Sequence, residues 1–87
     1  MLILIILEKY LDHKGGLNME LNKHYLSKYI GNTKLTGITK GNIFEIVITE
    51  NKHGYNVDIL YDTTSNIKIG KMFTYSNENS IKNNWEV

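Results

Sequence analysis

The sequence predicts an all-β domain of five short strands closed into a small barrel, with a short N-terminal extension. Three observations carry this. The run Ile43-Phe44-Glu45-Ile46-Val47-Ile48-Thr49 is almost wholly β-branched or aromatic, which suits a pleated surface and disfavours a helix. Tyr55 to Tyr61 alternates between apolar and polar residues with period two. Polar turn segments (Thr39 to Asn42, Glu50 to Gly54 and Asp62 to Asn66) separate the runs at hairpin spacing.

Taken in order, His24 to Ile30 reads as the first strand, with Tyr25, Ser27 and Tyr29 on one side and Leu26, Lys28 and Ile30 on the other. Gly31 to Lys34 turns the chain. Leu35 to Ile38 continues an irregular excursion that Leu35 and Ile38 anchor to the core. In the second strand Phe44, Ile46 and Ile48 form a wholly apolar face. In the third, Tyr55, Val57, Ile59 and Tyr61 share a face. Ile67 to Ile69 is a short fourth strand, and Gly70-Lys71 bends the chain before Met72 and Phe73. Ser76 to Ser80 is a loop or a single helical turn capped by Ser76 or Asn77. Trp85-Glu86-Val87 is the closing strand, which removes the adhesive edges an open sheet would leave.

Composition narrows the function classes more than it names one. At 87 residues the chain is a single domain whose burial is modest. It has no cysteine, which excludes disulfides and thiolate metal sites. Ten lysines and no arginine stand against nine acids, for a net charge of +1, too balanced to mark a nucleic-acid protein by itself. Without arginine there is no guanidinium fork to read guanine edges or phosphates. The absence of Arg and Pro beside abundant Asn, Ile, Lys and Tyr is what AT-rich codons produce, as in a low-GC bacterium.

Residues 1–18 read as an extension and 19–87 as the domain. Met1 to Leu7 is apolar but far short of the roughly 20 residues needed to cross a bilayer, and it lacks the flanks of a secretory signal. A cytoplasmic protein without a membrane partner is the expectation. Lys14-Gly15-Gly16-Leu17-Asn18-Met19 can be encoded by a ribosome-binding sequence followed by a start codon. That makes Met19 a candidate natural start and Met1 to Asn18 a translated leader. If the extension is present, its Leu/Ile cluster would need burial on the domain or in a homodimer contact.

Lys28-Tyr29-Ile30-Gly31-Asn32, Leu35-Thr36-Gly37-Ile38-Thr39-Lys40-Gly41-Asn42-Ile43-Phe44 and the aromatic-acidic-valine tail Trp85-Glu86-Val87 resemble a group of small uncharacterised proteins of phages and Gram-positive bacteria. The resemblance implies an SH3-like barrel, an origin in a phage or mobile element, and no known activity.

The functional candidates are surfaces rather than reaction centres. An interaction surface for a protein partner draws on Tyr29, Lys34, Tyr55 and Tyr75; Phe73 and Trp85, the other aromatics a peptide-binding stripe could use, read rather as core or partial core. Polyproline recognition is disfavoured, because Gly31 to Ile38 contains no acid and carries Lys34. The alternative is RNA or single-stranded nucleic acid on a face formed by Lys28, Lys40, Lys68 and Lys71 together with Lys34, with tyrosines as stacking platforms. Glu45, Asp58 and Asp62 on the same strands weigh against that. No catalytic, metal or cofactor site is expected: His13, His24 and His53 lie on separate segments, and the serines have no basic partner nearby in sequence. Non-enzymatic protein binding is the expected function.

Overall fold

The computed structural model describes residues 19–87. The candidate leader and homodimer contact within Met1 to Asn18 lie outside the described residues. The domain is built on one antiparallel sheet with strands β1 (His24–Lys28), β2 (Ile43–Asn51), β3 (Gly54–Asp62) and β4 (Ile67–Tyr75), in spatial order β1-β2-β3-β4. Two short helices interrupt the meander: α1 (Thr33–Thr36) between β1 and β2, and α2 (Glu78–Lys82) after β4.

The five-stranded SH3-like barrel is not what forms. The sheet has four strands, and β1 and β4 are its two edges, so it is open and uncurled. The expected closing strand shrinks to one bridge, between Trp85 and Tyr29. Its extent is limited by α2: the Trp85 amide donates back to the Ile81 carbonyl (2.8 Å) and is lost to a ladder. The tail is nonetheless fixed to β1. Ile30 N–H donates to the Asn84 carbonyl (2.8 Å), and Glu86 N–H donates to that of Lys28 (3.0 Å). The resemblance to the phage and Gram-positive group, drawn from the Lys28 to Phe44 motifs and the Trp85-Glu86-Val87 tail, implied a closed barrel and is contradicted by this open sheet.

One face of the sheet carries the core. Phe44, Ile46 and Ile48 are buried as their alternation predicts, opposite Tyr25 on β1 and Val57 and Ile59 on β3. Tyr29, Ile38, Ile81 and Trp85 complete the cluster. Each such aliphatic or aromatic side chain contributes about 1.5–3 kcal/mol of transfer free energy. Trp85 sits at the centre of the aromatic part. Its ring meets Tyr29 and Phe44 edge to face at 4.9 and 5.8 Å, and its indole N–H donates to Tyr75 Oη (3.1 Å).

The third strand departs from strict alternation. Glu45 pairs with Tyr61 but Ile46 with Ile59, so Leu60 is an extra residue on β3. The phase change turns Tyr61 away from the core face and Asp62 onto it. Ile69 and Gly70 lie across β4 from the same Leu60, with Gly70 at φ 72°. The buried Asp62 carboxylate accepts from Asn42 Nδ2 (2.9 Å) and from the Ser65 amide (3.0 Å), which closes the β3–β4 turn.

Gly31 is where the loop after β1 crosses the tail. A Cβ there would run into Asn84 Oδ1 and the Tyr29 phenol, and the Tyr29 ring is fully buried and unable to retreat. Gly31→Ala should therefore lower stability by about 1–3 kcal/mol. Urea unfolding followed by Trp85 fluorescence checks this, and an unchanged midpoint would contradict the crossing.

Candidate functional site

The candidate surface is the segment between β1 and β2. Asn32 caps α1, its side-chain oxygen accepting from the amides of Lys34 (2.8 Å) and Leu35 (3.2 Å). Gly37 ends the helix in the left-handed region at φ 77°, its amide donating to the Thr33 carbonyl (2.7 Å). The Thr36 hydroxyl donates to the Asn32 carbonyl (3.0 Å), accepts from the Ile38 amide (3.1 Å) and shares a hydrogen bond with Tyr29 Oη (3.0 Å). The Lys40 amide donates to Thr33 Oγ1 (2.7 Å), and Gly41 and Asn42 rejoin Tyr29 through backbone bonds. The segment is short and polar, yet well determined in shape.

On this scaffold Leu35 is 84% exposed. The sequence reading made it a core anchor; only Ile38 takes that role, at 2% exposure. The missed signal was Gly31-Asn32-Thr33, a cap and helix start that turns Leu35 outward. Lys34 and Lys40 are exposed beside it, and both line an open cleft of about 660 Å³ that runs to Asn83 and Asn84. The Lys71 ammonium reaches the segment from β4: a Cβ on Gly37 would sit 3.3 Å from its Nζ. None of these three ammonium groups makes an ion pair or hydrogen bond with a described residue. From Leu21 to Phe44 the chain has four lysines and no acid.

The other expected site residues are dispersed. Tyr29 is fully buried and offers no surface. Tyr55 and Tyr75 are cross-strand neighbours, both half-buried, and Tyr75 spends its hydroxyl on Trp85. Phe73 is half-buried against the core and Trp85 is inside it. The lysine face is divided by the sheet. Lys28, opposite Ile43, and Lys68, opposite Tyr61, project from the face away from the core, whereas Lys71, opposite Ile59, projects with the core side. Glu45, on β2, accepts from His24 Nδ1 at 2.7 Å. Among the described residues, no group of three or more His, Asp or Glu side chains converges as a metal site would require.

The chain matches no protein-family model, no curated protein and no solved structure among those it was compared with. No helix among the described residues is long and apolar enough to cross a membrane.

Two phenols have perturbed acidity. Burial is the main cause at Tyr25, with the Glu20 carboxylate adding to it, and its pKa is pushed well above the ordinary tyrosine range. Tyr75 is also raised, chiefly by burial, with the hydrogen bond from Trp85 acting in the opposite direction. Raised folded-state values favour the neutral phenols in the native state. The stability they contribute is whole below the unfolded value of about 10 and is lost as pH rises beyond it. Phenolate absorbance against pH should show two of the tyrosines ionising late and together with unfolding. Smooth titration of all six at the ordinary value, with the fold retained, would contradict it.

Proposed function

We propose that this chain is a small protein-interaction module that engages its partner through the α1 segment, with Leu35 as the apolar contact and Lys34, Lys40 and Lys71 as the charged surround. The observation that carries the reading is the 84% exposure of Leu35 on a segment already fixed by hydrogen bonds. An exposed leucine alone means little. Here the backbone that displays it is ordered before any partner arrives, so little conformational entropy remains to be lost on binding. The partner this surface fits has an apolar pocket rimmed by carboxylates. The surround of unpaired ammonium groups supplies complementarity and a faster encounter at low salt.

A nucleic-acid partner is the second reading, and the same ammonium groups favour it. Against it, the fold buries Tyr29 and Trp85 and half-buries Tyr55 and Tyr75, leaving the lysines of this segment without an open stacking platform.

The test is affinity capture from a lysate with wild-type, Leu35→Asp and Lys34→Glu chains, with and without nuclease, after circular dichroism has shown the variants folded. One protein should be retained despite nuclease and lose about tenfold or more in affinity to the Leu35→Asp chain. Retention that ignores both substitutions, or that vanishes with nuclease, would contradict the proposal.

A further inference from the structure

The two edges of the sheet are treated differently. The β1 edge is held by the tail, through the Ile30–Asn84 and Glu86–Lys28 backbone bonds and the Ser27 hydroxyl, which donates to the Glu86 carbonyl (3.0 Å). The β4 edge pairs with no described residue beyond β3, and Ile67, Lys68, Gly70, Lys71, Met72 and Thr74 along it are all exposed. Two of the three large apolar side chains most exposed in the described domain, Ile67 and Met72 at 55% each, lie on this strand. It carries two lysines and no acid.

Resting on the protein-interaction reading above, we propose that the β4 edge accepts an acidic extended segment of the partner as an added strand. The charge determines which occupant fits. A second copy of this edge would add two more lysines and no acid to a positive strand, and edge lysines oppose such pairing in natural sheets. Lys68 and Lys71 lie on opposite faces, so a strand with carboxylates at alternate positions meets Lys71 on the core side, and that opposite-charge pair is favourable across a ladder. The bulge at Ile69-Gly70 divides the edge, leaving the regular half, Lys71 to Tyr75, as the stretch that receives the strand. Lys71 joins the two surfaces, since it stands on this half and its ammonium lies against Gly37 of the α1 segment.

The experiment uses the full isotope-labelled chain and two synthetic probes, a blocked (Glu-Val)3 peptide and its (Lys-Val)3 counterpart. Amide shifts and hydrogen exchange are read residue by residue. The acidic peptide should move and protect amides within Lys71 to Tyr75, and the basic peptide should not. Lys68→Glu/Lys71→Glu should weaken binding by about tenfold. In case that variant fails to fold, the wild-type affinity should also fall as salt is raised from about 0.05 to about 0.5 M. Equal binding of both peptides, or shifts confined to Lys34 to Lys40, would overturn the edge assignment. So would silence of β4 at millimolar acidic peptide. Because the shifts are read residue by residue, silence of β4 fails this inference alone, whereas lysate capture indifferent to Leu35→Asp fails the α1 reading.

Discussion

The placement of Trp85 is the constraint on which the rest of the structure depends. Its ring fills the space between Tyr29 and Phe44 and its indole N–H reaches Tyr75, so one side chain joins β1, β2 and the end of β4. Its own backbone is held by α2, and its neighbours Asn84 and Glu86 are held by β1. A four-stranded meander of this size has contacts mainly between neighbouring strands. The tail supplies the long-range tie that covers the open core face, with Ile81 beside it.

The same tie bears on the surface proposed to act. Tyr29 meets Trp85 edge to face with its ring and holds Thr36 with its hydroxyl, while Asn84 meets the loop at Gly31. The α1 segment is therefore coupled to the core through a buried phenol rather than hanging from two strand ends. That coupling lets a four-residue helix persist, since a helix so short has no stability of its own. Display of Leu35 thus costs the domain nothing in order, and binding energy is not consumed in ordering it.

Much of the strand layout was legible in the sequence. The β-branched run gave β2 and its buried face, because period-two alternation has one physical reading when one side is wholly apolar. Ser76 to Ser80 read as a loop or a single turn capped by Ser76 or Asn77; the helix that forms is capped by Asn77 and runs on to Lys82. Closure was not legible: whether Trp85-Glu86-Val87 forms a strand depends on where α2 directs its amide, a tertiary matter. The bulge at Leu60 has no local signature either, so Tyr61 was assigned to the wrong face. For the site, Lys34, Lys40, Lys68 and Lys71 are exposed and Lys28 is half-buried; the separation of these lysines onto two faces follows from register, which composition cannot supply. Tyr29 looked like a surface tyrosine because tyrosine is amphipathic; its burial against Trp85 is a contact across more than fifty residues of chain.

The most direct test of this coupling is native-state hydrogen exchange on the full chain, comparing the amides of Ile30, Gly37 and Trp85 with those of the central strand residues Ile46 and Ile59. Amides at the three outlying positions that open only with the core, with the same free energy and the same response to urea, are the predicted result. Exchange there through independent local opening, orders of magnitude faster than in the central strands, would show that the α1 segment and the tail are not locked to the sheet.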